Sequence, residues 1–165
     1  MSLFSGLLTL AKQGYTTYDL GLIQARGYRA LKQITAEVVS EENITTMEWA
    51  ILGILTHHPT GLLASQVAEQ LAVKPPMVSR LIVRIEEKDW ITVEKGIDRR
   101  EKIISLTPSG KVGVAQLEKK MRIALRPLME GVKISDLMGY LRTLAVIAKN
   151  TKHLSPGSVG DYIPD

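Results

Sequence analysis

Apolar positions in residues 16–40 recur three and four apart: Leu20, Ile23, Gly27, Leu31, Ile34 and Val38, with Lys, Arg and Gln filling the other faces. That spacing predicts one long helix. Its apolar stripe is long and narrow, as in a helix–helix seam, with packing within one subunit as the alternative. A second helix is expected over 45–57. It opens on Thr45-Thr46-Met47-Glu48, the form of a capping box, in which hydroxyl and carboxylate each satisfy an orphan backbone N–H. Met47, Ile51, Ile54 and Leu55 supply its buried stripe, and His58-Pro59-Thr60-Gly61 stops it. A short helix near 64–72 and a turn at Val73-Lys74 follow. The next helix opens at Pro75, where a missing N–H is harmless, and runs to about Lys88. Val78, Leu81, Ile82 and Ile85 form its inner face. Two helices joined by so short a turn read as a helix-turn-helix.

The period then changes. Ile91-Thr92-Val93 and Lys102-Ile103-Ile104-Ser105-Leu106 are β-type runs, and Glu94–Glu101 between them, with Gly96 and Asp98, reads as a hairpin tip. Thr107-Pro108 caps a new helix to about 126, with Val114, Leu117, Met121, Leu125 and Leu128 inside, before Pro127 and Gly131 interrupt it. Ser135-Asp136 caps a last helix to about 152, striped by Leu137, Leu141, Leu144 and Ala148. The tail 154–165, rich in Pro, Gly and Ser, is expected to be disordered. The fold class is therefore mainly α with a small β-hairpin wing: a winged helix-turn-helix core over 45–107, flanked by helical regions at 1–40 and 108–153.

With Val78, Leu81, Ile82 and Ile85 turned inward, the opposite face of the second motif helix carries Pro76, Ser79, Arg80, Val83, Arg84 and Glu87. From Lys74 to Ile85 there are three basic residues and no acidic one. The candidate contacts to double-stranded DNA are Lys74, Pro76, Met77, Ser79, Arg80 and Arg84 on this helix, and Lys95, Arg99, Arg100 and Lys102 on the hairpin. An arginine in the major groove can pair with guanine O6 and N7. One on a narrow tip can enter an A·T-rich minor groove. The alternative for the helix is a solvated face with two stray arginines. Val83 either meets a thymine methyl or rests against a neighbouring helix or the wing.

Composition narrows the choice. The 165 residues suit one compact domain, and the net charge of +4 agrees with an anionic partner without requiring one. There is no cysteine, which removes disulfides, thiolate metal sites, thiol nucleophiles and thiol redox sensing, and fits a reducing, cytoplasmic setting. No apolar run is long enough to span a bilayer, and Met1–Ala11 lacks the features of a signal peptide, so no membrane partner is expected. His57 and His58 diverge by about 100° on a helix and do not share a metal. Glu41-Glu42 and Glu86-Glu87 read as solvated faces. No cofactor motif and no acid–base or nucleophile constellation appears, so the chain is not expected to be an enzyme.

The run Asp98-Arg99-Arg100-Glu101-Lys102-Ile103-Ile104-Ser105-Leu106-Thr107-Pro108-Ser109-Gly110 fits the pattern D-x-R-x5-L-T-x-x-G at every fixed position. With Gln66–Leu71, Val78–Leu81 and Arg84–Lys88, it resembles the MarR family of winged helix-turn-helix transcription regulators. The resemblance covers 45–115 in motif and about 16–152 in element order. It departs at Ala72, where Gly is common, at Pro75 and Pro76, where Ser or Thr is common, and at Val83, where an acid is common. A homodimer held by the regions 1–40 and 108–153 is expected, because the first and last helices each carry an apolar stripe and the winged helix between them cannot cover them all. The resemblance implies a repressor of an inverted-repeat operator, tuned by a small amphipathic or aromatic effector. It also implies that Arg100 touches DNA and that Asp98 orients the wing. The alternative function is a winged-helix module that docks on protein without sequence-specific DNA binding.

Overall fold

The structure, a computed structural model, describes residues 10–96 and 101–151. Its elements are α1 (Thr17–Ser40), α2 (Thr46–Thr56), β1 (Leu62–Leu63), α3 (Ala64–Gln70), α4 (Pro75–Glu87), β2 (Ile91–Lys95), β3 (Lys102–Leu106), α5 (Pro108–Leu125), a 3-10 turn (Arg126–Met129) and α6 (Ile134–Thr151). The chain divides into two compact units, 1–126 and 127–165.

Local chemistry sets the helix starts in the first unit. Thr16 with Asp19 and Thr45 with Glu48 both form reciprocal capping boxes. Thr107 caps α5 by accepting the Gly110 N–H at 2.8 Å. Helix ends rely on left-handed residues: Asn43, Ala72 and Asp89 have φ of 53°, 53° and 57°. Asn and Asp tolerate that region, whereas Ala72 pays about 1–2 kcal/mol for the clash of its Cβ. This is the physical reason glycine suits that turn.

The core gathers Val38 and Val39 of α1, Ile44, Ile51, Leu52 and Leu55 at α2, Val67 and Ala68 of α3, Val78, Ile82 and Ile85 of α4, Ile91, Ile104, and Val114, Leu117 and Met121 of α5. The inner face expected of α4 is the one found, with Leu81 only half-buried. The stripe expected of α1 holds only at its C-terminal end. Leu31 and Ile34 are half-buried and Val38 is buried, while Leu20 and Ile23 are 51% and 59% exposed. The C-terminal part of α1 is fastened to α5, where Lys120 Nζ lies 3.0 Å from both Glu41 Oε2 and Glu42 Oε1. Hydrogen bonds to Glu42 and then Glu41 raise the Lys120 pKa above its ordinary value.

The sheet has the order β1-β3-β2, antiparallel throughout. It corrects the expected hairpin in two ways. Leu62 and Leu63, between the expected second and third helices, pair with Ile104 and Ile103 as a third strand. The second strand does not stop at Val93 but runs to Lys95, where it pairs with Lys102, and Gly96 N–H donates to Glu101 O at 2.9 Å. Cross-strand pairing, which residue type alone does not display, extends both.

In the second unit α6 begins at Ile134, so Ser135 and Asp136 lie in its first turn rather than before it. Leu128, expected inside, is 41% exposed, because Pro127 falls in the 3-10 turn and ends the α5 register. The expected tail 154–165 lies outside the described residues.

Candidate nucleic-acid interface

Helix α4 owes its placement to both ends. Pro75 and Pro76 occupy its first turn, after Lys74 as N-cap. Its far end closes on Asp89, and Trp90 N–H donates to Ile85 O at 3.3 Å, which turns the chain directly into β2. Burial of Val78, Ile82 and Ile85 fixes the rotation of the helix about its axis. Pro76, Met77, Ser79, Arg80, Val83, Arg84 and Glu87 are consequently exposed, as is Lys74. Met77 and Val83 present 43% and 48% of their surface, so Val83 does not pack into the core. The Ser79 hydroxyl donates to Pro75 O at 3.2 Å, and its lone pairs stay available. Among the described residues Arg80 enters no ion pair.

Arg84 differs. Its Nε lies 3.1 Å from Oε1 of Glu48, a carboxylate that is only 1% exposed. Glu48 Oε2 accepts the Thr45 N–H at 2.6 Å, whereas Oε1 receives no directed hydrogen bond and relies on the guanidinium charge. Sequence reasoning took Glu48 for a capping residue, which it is, and missed that it is also a buried charge. The (i, i+3) signal reveals the cap; nothing local reveals a partner on another helix.

At the wing, Lys95 and Lys102 face each other directly across β2 and β3. Both are exposed. Like charges in opposed positions repel, and an anion bound beside them would relieve it, although exposed Glu94 and Glu101 flank the pair. Asp98, Arg99 and Arg100, also expected at the wing, lie outside the described residues.

The base of the wing is pinned to α5. Thr107 N–H donates to Trp90 O at 3.1 Å, and the Thr107 hydroxyl donates to Asp89 O at 2.6 Å. Gly110 sits so close to Trp90 that a Cβ there would overlap the Trp90 carbonyl oxygen. The L-T-x-x-G end of the motif is therefore a joint between the end of α4, the wing and α5.

Comparison with known proteins agrees with this geometry. The family model described as MarR family matches residues 42–101, the span from just before α2 to just before β3. Over this segment the chain is similar to the MarR family. The transcriptional activatory protein BadR of Rhodopseudomonas palustris is 29% identical over 136 residues, which covers 79% of this chain and 77% of that protein. Among solved structures, a MarR-family transcriptional regulator from Rhodococcus sp. RHA1 has the same fold at a TM-score of 0.73 and 18% identity, covering 81% of this chain and 95% of the other. CouR from Rhodococcus jostii RHA1, solved bound to p-coumaroyl-CoA, has a TM-score of 0.72 and 18% identity, covering 79% and 91%. MarR-family proteins are transcription regulators and not enzymes, and the chain has their winged-helix fold. No helix among the described residues is long and apolar enough to cross a membrane.

Proposed function

We propose that the chain is a homodimeric repressor that reads an inverted-repeat operator through α4 and grips it with the β2–β3 wing. The observation that carries this reading is the outward face of α4. It projects Ser79 and Arg80, which enters no ion pair among the described residues, from a helix whose rotation is fixed by the core, beside strands whose last pair is the opposed Lys95 and Lys102. One basic element to read bases and another to hold the backbone are the two parts of a specific DNA contact.

Dimerisation is supported by apolar surface that the single chain leaves uncovered. In α1, Tyr18, Leu20, Ile23 and Tyr28 are 51–73% exposed, and in α6 Ile134, Leu141, Val146 and Ile147 are 49–72% exposed. Exposed apolar surface of this kind supports an interface. Two winged helices related by a two-fold axis would read half-sites about one turn apart, roughly 34–36 Å. The effector is proposed to be small and amphipathic or aromatic. Its candidate site is a mostly apolar cleft of about 300 Å³ in the first unit, lined by Leu55, His58, Leu106, Lys111, Val114 and Glu118. CouR, which shares the fold, is bound to p-coumaroyl-CoA.

The test is selection of a duplex from a random-sequence pool by the full-length protein, followed by titration of Arg80→Ala on the selected and a scrambled duplex. A palindromic site should emerge. Loss of the Arg80 fork should lower operator affinity by about 1–3 kcal/mol more than scrambled affinity. If no sequence is enriched, the protein-docking alternative takes its place. The sign of regulation is read separately: deletion of the gene should raise transcription from the promoter that carries the site, and a fall would make the protein an activator, as BadR is by name.

A further inference from the structure

We propose that Arg84 is a positioning residue that tethers α4 to α2 through buried Glu48, and that it does not itself contact DNA. The inference rests on the DNA-reading role proposed above. Four observations carry it. The Glu48 carboxylate is 1% exposed, so it cannot reach a DNA surface. Its Oε2 is committed to the Thr45 N–H that caps α2. Its Oε1 has the Arg84 Nε at 3.1 Å as its charge partner and no directed hydrogen bond. Arg84 lies one turn beyond Arg80 on the same side of α4.

A phosphate that drew the Arg84 guanidinium away would strand a buried carboxyl oxygen without its partner, which is strongly unfavourable. The tether therefore holds against DNA. Apolar packing of Val78, Ile82 and Ile85 fixes which face of α4 turns outward, but side chains of that kind permit small sliding and tilting. A charged contact at one defined point on α2 removes that freedom. It does so one turn away from Arg80, whose two-bond fork tolerates little misplacement.

The experiment uses the full chain and the duplex selected by the wild-type protein. Glu48→Gln, Arg84→Ala and the double variant are titrated on the selected and a scrambled duplex at several salt concentrations. Glu48→Gln keeps an acceptor for the Thr45 N–H, so it carries the test if Arg84→Ala does not fold. The expected result is a loss of about tenfold in preference for the selected duplex in Glu48→Gln, a loss within the range of one mismatched base pair. The double variant should lose no more than either single variant, since each breaks the same tether. The salt slope should be unchanged in all three, because no phosphate contact is removed. A slope shallower by about one in Arg84→Ala, with Glu48→Gln behaving as wild type, would make Arg84 a phosphate contact and overturn the proposal. Wild-type preference in folded Glu48→Gln and folded Arg84→Ala would also overturn it, leaving the pair with a stabilising role only. A wild-type protein that selects no duplex overturns the DNA-reading role itself, and the tether's part in reading with it.

Discussion

Gly110→Ala tests the joint beneath the wing. A Cβ at this position would overlap the Trp90 carbonyl oxygen and lie 2.7 Å from its carbon and 2.9 Å from its Cα. All three atoms are backbone, so no side-chain rotation relieves the overlap, and the first turn of α5 must move away from Trp90. That movement strains three hydrogen bonds: Thr107 N–H to Trp90 O, the Thr107 hydroxyl to Asp89 O, and Gly110 N–H to Thr107 Oγ1, at 3.1, 2.6 and 2.8 Å. The cap bond contributes about 1 kcal/mol. Each of the others contributes about 1 kcal/mol. The expected loss is therefore about 3 kcal/mol, a large part of the roughly 5–15 kcal/mol that holds a domain of this kind folded. Urea unfolding at fixed protein concentration measures it. With a slope of about 1–3 kcal/mol per molar, the midpoint should fall by about 1–3 M. Ser109→Ala, one position away and exposed, is the control and should stay within about 0.5 kcal/mol of wild type. A Gly110→Ala midpoint within about 0.2 M of wild type, far inside the expected shift, would refute the claim that the close approach to Trp90 pins α5.

Lys102→Ala should remove the repulsion from Lys95 and raise stability by about 0.2–1 kcal/mol, while DNA titrations show weaker binding and a salt slope shallower by about one. Unchanged binding would mean that the paired lysines serve no anion. Asp19 accepts hydrogen bonds from the Thr16 hydroxyl and the Thr16 N–H at 2.7 and 2.9 Å, and these hold its pKa below the ordinary value. Because the folded value is depressed, its contribution is present above the unfolded pKa of about 3.9 and is lost as pH falls through the folded one. Asp19→Asn should therefore flatten the acid limb of a stability-versus-pH curve, and an identical limb would exclude this bond as a source of acid sensitivity. Sedimentation at micromolar concentration should show two chains, and Leu20→Glu with Ile23→Glu should give one; a monomeric wild type would remove the homodimer.

Much of this protein is legible without coordinates, and the legible parts share one property: their partners are near in sequence. Thr45 and Glu48 form their capping box within a single turn, and Thr107 caps α5 through the N–H of Gly110. The inner face of α4 follows from side chains repeating every turn of a helix. Leu20 and Ile23 show the limit of that rule, since periodicity marks a face as apolar without saying what covers it. What the tertiary structure decided were relations between distant segments. Leu62 and Leu63 become a strand only because β3 passes beside them. Lys95 meets Lys102 only because the pairing register brings them opposite each other. Gly110 must be glycine because the Trp90 backbone lies against it. Arg84, read from its helix face as a candidate DNA contact, also lies against a carboxylate buried on another helix. Helical spacing fixes where a side chain points relative to its own axis; only the packing of one element on another fixes what it meets there.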